Sequence, residues 1–264
     1  MMTRQVMRNY NRLLFTAIIL AAWSIQSVSA QDKRADATDS SSKIRTLMEK
    51  VQQAYHHTAY LGFRIKYLYA NEGQPDKNTD SLTGEVEMDK GRCRFVIDGT
   101  ETVLTDKYAI QVMNADKAIY LSAAHHAGMS NPVSMLDSVF AHIEGIHTDL
   151  QEQGQSDVLT LRFPPGGTYS LIRIQVDART GYFQKITYFL YTAGLVGQEM
   201  IEGPGHPGPY QSKGQVNIIF SHYEQGRFDD TLFKEGNFFT KTAGRFEPAG
   251  HYKDYHIFLA SSNL

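Results

Sequence analysis

Between Tyr60 and Leu121, apolar and polar residues alternate with a period of two, and polar turns interrupt the alternation. The stretch GEVEMDKGRCRFVIDGTE, residues 84–101, contains two such runs separated by a turn at Lys90 and Gly91. Successive side chains of a β-strand point to opposite faces, so each run predicts a strand with one apolar face. Strands joined by short turns can only be antiparallel neighbours, so this region is predicted to form a meander.

Helices and further strands are predicted on either side of the meander. Apolar residues at helical spacing predict an amphipathic helix from about Ser42 to His57, and the serines at 40–42 can cap it. A second helix is predicted over 131–143, where asparagine can cap and proline suits the first turn. Later strands are predicted at 159–163, 172–176, 184–191 and 216–223.

A twisted sheet of this many strands must curl, and one or two helices can then cover its concave side. The predicted fold class is mainly β with two or three helices (α+β), arranged as a curled antiparallel sheet or incomplete β-barrel with helices over the concave face. One composition extends through the chain after its leader, so a single domain is predicted over 42–264. Within it, 192–214 is predicted to be a long Gly/Pro-rich loop and 244–264 a C-terminal extension.

The first thirty residues, 1–30, are typical of a secretory signal peptide. Three arginines without an acidic residue precede an apolar run at 13–25 that is too short to span a bilayer comfortably. Val28 and Ala30 occupy the positions that a signal peptidase prefers, so we expect cleavage after Ala30 and export to the periplasm. A flexible leader, 31–41, is predicted to follow. The alternative is an uncleaved N-terminal anchor, and no later run is long enough for a membrane span.

Charge and motifs argue against several classes of function. The formal net charge of −2 becomes more negative once the signal arginines are removed, which argues against nucleic acid as a partner. The only cysteine, Cys93, cannot form an intramolecular disulfide, and it alternates with Phe95, so we expect a buried apolar side chain. The histidines lack metal-binding spacing, and the acidic run from Asp76 to Glu87 lacks the glycine of a calcium loop. We therefore expect no metal and no cofactor.

No nucleophile elbow, phosphate loop or dinucleotide motif occurs in a strand-to-helix context, so no catalytic residue is assigned. Aromatic residues nevertheless make up 11% of the chain. A curled sheet with two short helices has a larger concave face than the helices can cover, and such an apolar groove is the usual form of an acyl-chain site. The residues expected to line it are Phe63, Ile65, Tyr67, Val86, Met88, Phe95, Ile110, Val112, Tyr120, Leu136 and Phe140.

The order of these elements resembles the LolA/LolB-like superfamily of periplasmic lipoprotein carriers. The resemblance covers about Ser42 to Thr240 and lies in GEVEMDK, ETVLTDKYAIQV, DKAIYLS, NPVSMLDSVF, IRIQVDARTGYFQKITY and DDTLFKEGNFFT. It implies a half-barrel that binds lipid. In the family, a basic residue at the end of the GEVEMDK-like strand is tied to opening and closing of the cavity. The resemblance places that residue at Lys90, with Arg92 close by.

We therefore expect a non-catalytic periplasmic binder or carrier of lipoprotein or lipid acyl chains. One alternative is an envelope-assembly or regulatory component that uses the same fold to grip a protein partner, with the 192–214 loop and the C-terminal extension as its interaction surface. A secreted hydrolase stays open as well, because catalytic triads assemble from distant positions.

Overall fold

The computed structural model describes residues 38–56, 58–124, 145–196, 200–203, 208–226, 229–261 and 264. Within these residues the protein is mostly β, with one α-helix, α1 (Thr38–His56). The strands are β1 (Tyr60–Asn71), β2 (Asn78–Asp89), β3 (Arg92–Ile97), β4 (Thr100–Leu104), β5 (Tyr108–Met113), β6 (Ala118–Ala123), β7 (His147–Gln153), β8 (Ser156–Arg162), β9 (Tyr169–Asp177), β10 (Phe183–Tyr191), β11 (Lys213–Gln225), β12 (Phe239–Thr242), β13 (Arg245–Pro248) and β14 (His256–Leu259). Short 3-10 turns cover Thr192–Gly194, Asp230–Phe233, Glu235–Asn237 and Gly250–Tyr252.

Twelve strands are joined in one sheet in the order β14-β6-β5-β4-β3-β2-β1-β11-β10-β9-β8-β7, and β12 and β13 form a separate antiparallel hairpin. β1 to β6 are neighbours in chain order, which confirms the predicted meander. The sequence predicted an antiparallel sheet, but β14 pairs with β6 in parallel, so this part of the prediction is wrong. More than a hundred residues separate these two strands, which is ample for a parallel pair.

The prediction of a mainly β fold is confirmed. Among the described residues there is one α-helix where two or three helices were predicted, and the second predicted helix, 131–143, lies outside the described residues. The predicted signal peptide, 1–30, also lies outside them. The curl of the sheet and the single domain stay predictions.

Helix α1 begins earlier than the sequence pattern indicated. Its first residue is Thr38, inside the segment predicted to be a flexible leader, so the serines at 40–42 lie within the helix and not at its N-cap position. The predicted apolar stripe is real, because Leu47 and Val51 are buried. Gly181 allows the turn between β9 and β10 to approach the helix, since a Cβ there would lie 2.9 Å from the carbonyl oxygen of Lys50.

Two tight turns fix the hairpins of β2, β3 and β4. Lys90 and Gly91 have φ angles of 48° and 96°, and Asp98 and Gly99 have φ angles of 44° and 79°. Two successive positive φ angles are the signature of a type I′ turn, whose twist matches that of the flanking strands. The turn predicted at Lys90 and Gly91 is therefore confirmed, and the short loops set the register of the three strands.

Four strands carry no recognisable alternation in the sequence. β7 is exposed at every position except Leu150, so no apolar period marks it. β12, β13 and β14 are each four residues long and lie in the C-terminal segment, 229–264, which showed aromatic residues without a regular period. Such short or edge strands are held by pairing with neighbours more than by their own pattern.

Residue contacts divide the chain into two compact units, and α1, β1, β2 and β11 contribute residues to both. Among the described residues, the first unit comprises 38–54, 66–81 and 145–219, and the second comprises 55–65, 82–124 and 220–264. The core of the first unit includes Leu47, Val51, Leu159, Leu161, Ile172, Ile174, Val176, Ile186, Leu190 and Val216. The core of the second includes Leu61, Phe63, Val86, Cys93, Val103, Ile110, Val112, Ile119 and Leu121.

In the first unit, the described part of the predicted 192–214 loop is packed. The ring of Tyr210 meets that of Tyr69 edge-on, with centroids 5.1 Å apart. The side chain of Asn71 accepts a hydrogen bond from the backbone N–H of Gln211 at 2.9 Å and donates to the carbonyl of Pro209 at 3.2 Å. These contacts hold residues 209–211 against the end of β1, so this part of the loop is structural.

Candidate apolar binding face

Strand register gives the second unit two distinct sheet faces. Cross-strand partners share a face, and successive residues of a strand alternate between faces. One side, called here the Phe95 face, carries Val86, Met88, Cys93, Phe95, Thr102, Gln111, Tyr120 and Phe258. The other side, called the Arg94 face, carries Glu87, Arg94, Glu101, Val103, Ile110, Val112, Ile119 and Leu121.

Six of the eleven residues predicted to line a cavity lie on the Phe95 face. Val86, Met88, Phe95 and Tyr120 are placed there by the register given above. Ile65 joins them, because a Cβ at Gly84, which pairs with Ile97 on this face, would lie 3.3 Å from the Ile65 side chain. Phe63 is two residues earlier on β1 and so shares the face of Ile65.

Ile110 and Val112 were predicted to line the same face, and the structure corrects this. Ile110 pairs with Val103 and Leu121, and Val112 pairs with Ile119, all on the Arg94 face. The apolar side of the meander changes between β3 and β4. On β4, β5 and β6 the fully buried aliphatic side chains occupy the face opposite to Val86 and Phe95.

The C-terminal segment covers the Arg94 face. One cluster of buried side chains joins the two: Val103, Ile110, Val112, Ile119 and Leu121 from the sheet, with Phe233, Phe238, Phe239 and Tyr252 from the segment. A face filled by the protein's own aromatic rings is core. The extension beyond 244, predicted as an interaction surface, therefore largely forms part of the fold, and β14 at its end is the exception.

A charged network also ties the C-terminal segment to the Arg94 face. Arg94 donates hydrogen bonds to Glu87 at 2.7 Å and to Glu101 at 2.6 Å, and the Tyr252 hydroxyl donates to Glu101 at 3.1 Å. Burial opposes the charge of Arg94, but the bonds to Glu101 and Glu87 raise the pKa of its guanidinium. Burial, with the nearby Glu101 carboxylate, raises the pKa of Tyr252 as well. The network keeps Arg94 charged and Tyr252 neutral.

Exposure increases along one row of the Phe95 face. The row of successive cross-strand partners is Val86, Phe95, Thr102, Gln111, Tyr120 and Phe258. Val86 is 3% exposed, whereas Tyr120 is 37% and Phe258 is 48% exposed. The rings of Tyr120 and Phe258 are stacked, with centroids 5.1 Å apart. The row therefore has two aromatic borders, the half-buried Phe95 and the Tyr120–Phe258 stack.

An aromatic cluster lies at the β1 end of the Phe95 face. The ring of Phe63 contacts those of Tyr55, Phe220 and Tyr223, with centroid distances between 5.2 and 6.2 Å. The hydroxyl groups of Tyr55 and Tyr223 share a hydrogen bond of 2.7 Å. The end of α1 thus packs on β1 and β11, and Phe63 serves as core here. Phe220 and Tyr223 could not be assigned to this face from the sequence, because β11 is far along the chain.

The two basic residues of the β2–β3 hairpin have different surroundings. Lys90 is exposed in the turn, and its ammonium group lies 5.3 Å from the ring centroid of Tyr60. Arg92 bonds to the buried carboxylate of Asp89, donates to Asp230 at 3.2 Å and lies 4.7 Å from the ring centroid of Phe233. Arg92 therefore links the hairpin directly to the C-terminal segment. A gating role for either residue stays a prediction.

The remaining predicted residues lie elsewhere. Tyr67 belongs to the first unit, where burial raises its pKa to about 12 and also raises the pKa values of Tyr188 and Tyr169. The rings of Tyr169 and Tyr188 are 5.5 Å apart. Leu136 and Phe140 lie outside the described residues.

Cys93 is fully buried on the Phe95 face, and burial raises the pKa of its thiol.

The structure also has a surface cleft of about 440 Å³ in the second unit, lined by Arg92, Thr105, Asp106, Lys107, Phe233, Lys234, Glu235 and Gly236. Among the described residues, no three His, Cys, Asp or Glu side chains are grouped so that they could hold a metal ion. None of the described helices is long and apolar enough to cross a bilayer.

Neither a protein-family model nor a curated protein matches the sequence. The structure is similar to an uncharacterized conserved protein from Thermus thermophilus, at 8% identity over 82% of this chain and 99% of that chain, with a TM-score of 0.46. It is also similar to a chain of the Pseudomonas aeruginosa MucA/MucB complex, at 12% identity over 78% and 74% of the two chains, with a TM-score of 0.39. A LolA superfamily protein from Nitrosomonas europaea matches at 14% identity over 72% and 97%, with a TM-score of 0.32.

Proposed function

We propose that this protein is a non-catalytic periplasmic binder or carrier of lipid or lipoprotein acyl chains. The bound acyl chain lies on the Phe95 face. The observation that carries the proposal is the row from buried Val86 to exposed Tyr120 and Phe258, with aromatic side chains at both borders. Isolated exposed apolar residues are normal on a protein surface, whereas contiguous apolar patches mark interaction sites. The stacked Tyr120 and Phe258 rings continue the buried apolar face to the surface.

The dimensions of the face suit an extended apolar ligand. Phe95 on β3 and Tyr120 on β6 are three strands apart, about 14 Å at ~4.8 Å per strand. Between them, β4 to β6 contribute several short side chains to this face: Thr100, Thr102, Ala109, Ala118 and Ser122. An acyl chain across these positions would cover the exposed rings, and each methylene that it buries contributes about 0.8 kcal/mol.

The Arg94 face does not compete for this role, because the protein's own C-terminal segment fills it. A second candidate function, the gripping of a protein partner, is favoured by a separate observation, the exposed outer edge of β14. Among the residues that the structure describes, no arrangement of side chains favours the hydrolase alternative.

Native mass spectrometry of the protein purified from a bacterial envelope tests the proposal first, and co-purified lipid is the expected result. A fluorescent dansyl fatty acid then measures affinity, with saturated fatty acids of 10 to 16 carbons as competitors. Because each methylene contributes about 0.8 kcal/mol, affinity should rise about fifteenfold for every two methylenes until the face is filled.

Tyr120→Ala is the matched variant, and Tyr191→Ala is its control. Both side chains are tyrosines of similar exposure, 37% and 41%, but Tyr191 lies in the other unit. Loss of about 50 Å² of contact from the Tyr120 ring should weaken binding roughly eightfold at ~25 cal/mol per Å², while Tyr191→Ala should leave it unchanged. Equal effects of the two variants, or no lipid and no chain-length dependence, would overturn the proposal.

A further inference from the structure

Strand β14 forms one edge of the sheet, and half of its backbone groups have no partner strand among the described residues. The N–H of His256 donates to Lys117 and the N–H of Ala260 donates to Leu121, so these two residues face β6. Backbone groups alternate in direction along a strand, so the N–H and C=O of Ile257 and Leu259 point away from β6. In the part of the chain that the structure describes, no hydrogen bond reaches these outward groups.

The side chains of this edge are unusually apolar for an exposed strand. Phe258 is 48% and Leu259 is 55% exposed, and Phe258 is stacked on Tyr120. Proteins usually protect an edge with charged residues, proline or a bulge, and His256–Leu259 contains none of these among its four residues.

The opposite edge of the sheet, β7, shows the usual protection. It carries Asp149 and Glu152, and its glutamines form a side-chain ladder in which Gln153 donates to Gln151 and Gln151 donates to Asp149. None of its residues is an exposed large apolar side chain. One edge is thus closed by polar groups, while β14 presents both free backbone groups and apolar side chains.

We infer that the β14 edge binds an extended peptide segment of a partner protein, which adds a strand to the sheet. The N–H and C=O groups of Ile257 and Leu259 supply up to four backbone hydrogen bonds, and such bonds give affinity without sequence specificity. The partner's peptide carries no charged side chain at the residues that pair with β14. One of its apolar side chains packs on the Tyr120–Phe258 stack, and another packs beside Leu259 on the opposite face.

The length of the edge selects a peptide over a second copy of the chain. Four residues span about 13 Å. The surface area that two such strands bury by pairing along this length is far smaller than the ~1,200 Å² that a stable dimer buries. An acyl chain fits the edge poorly, because it has no groups that can bond the outward N–H and C=O. The inference does not rest on acyl-chain binding to the Phe95 face.

The test presents the full chain to a phage library of random octapeptides, followed by affinity measurement with the enriched peptides. Extended sequences rich in β-branched and aromatic residues should be enriched and should bind in the micromolar range. Leu259→Pro removes one outward N–H without touching a bond to β6, and it should weaken binding at least tenfold. Leu259→Ala keeps the N–H and should weaken binding only about threefold.

The best peptide, N-methylated at alternate amides, should lose at least tenfold in affinity when the methyl groups fall on its pairing edge. Circular dichroism checks that both variants fold, and sedimentation velocity checks for self-association. Equal binding by wild type and Leu259→Pro, a lack of enrichment, or a dimer that Leu259→Pro abolishes would each overturn the inference. Dansyl fatty acid binding that survives Leu259→Pro separates this site from the proposed acyl-chain face.

Discussion

The guanidinium group of Arg92 lies 4.7 Å from the centroid of the Phe233 ring while it bonds to the buried Asp89 carboxylate. Asp89 is 1% exposed, and its Oδ1 accepts no hydrogen bond from the described residues. Arg92 therefore offsets a buried charge and at the same time holds the C-terminal segment against the β2–β3 hairpin. Arg92, which the resemblance placed close to Lys90, has a structural role that the sequence alone did not reveal.

Arg92→Ala should lower the free energy of unfolding by about 3–5 kcal/mol, because it leaves the Asp89 carboxylate buried without its partner. Urea unfolding measures the change. Arg64→Ala is the control, since its ion pair with Glu85 is about 60% exposed on both sides and should contribute less than about 1 kcal/mol.

A double variant sharpens this prediction. Asp89→Asn in the Arg92→Ala background removes the orphaned charge, so the double variant should be more stable than Arg92→Ala alone. If Arg92→Ala destabilises no more than Arg64→Ala, the pair with Asp89 is not a buried ion pair in solution.

Because Gly214 has no side chain, the side chain of Tyr69 can pack against its backbone. A Cβ at Gly214 would lie 2.4 Å from the Tyr69 hydroxyl oxygen, and that hydroxyl shares a 3.0 Å hydrogen bond with Thr192. Gly214→Ala should therefore destabilise the protein by about 1–3 kcal/mol through overpacking. Gly236→Ala, where a Cβ would meet open space, is the control in the same thermal or urea measurement. Equal stabilities of the two variants would show that Tyr69 moves freely aside.

Cys93 should be inert in the folded protein. It is fully buried and burial raises its pKa, so little reactive thiolate forms at neutral pH. Its labelling by a thiol reagent should be at least about 100-fold slower in buffer than in denaturant, because labelling requires opening of the structure. The comparison is Glu85→Cys, which places a second thiol at an exposed position of β2 and should label at once. Rapid labelling of the native wild type would contradict the burial.

Asp177 should contribute to the acid sensitivity of the protein. Its carboxylate accepts hydrogen bonds from the Thr180 N–H, the Thr180 hydroxyl and the Arg179 N–H, and these hold its pKa below the usual range. The stabilisation is present above the unfolded pKa of about 3.9 and is lost as the pH falls through the lower folded pKa. Asp177→Asn should therefore lose less stability than wild type between about pH 4 and pH 2.

Asp116→Asn controls for the loss of one negative charge, because Asp116 is exposed in the turn between β5 and β6. Urea unfolding at several pH values gives the slopes. Parallel curves for wild type and Asp177→Asn would rule out this contribution.

The candidate site shows how far the sequence could lead. Val86, Met88 and Phe95 were placed together correctly, because they alternate across a two-residue turn whose geometry is local. Ile110 and Val112 were placed on the wrong face, since an apolar period identifies two faces but not which of them is covered. The covering side chains, such as Phe238, come from residues more than a hundred positions later and show no period that announces them.

The sequence by itself determined the strands of the meander, the turn at Lys90 and Gly91 and the mainly β class, because alternation and glycine-containing turns act over a few residues. Only the tertiary structure decided which face is core. The C-terminal segment fills the Arg94 face and reaches β6 through β14, and this contact over a long chain separation depends on complementary packing. With the C-terminal segment packed in this way, the side chains of Tyr120, Phe258 and Leu259 stay exposed. These residues define the surfaces to be tested for ligand and partner.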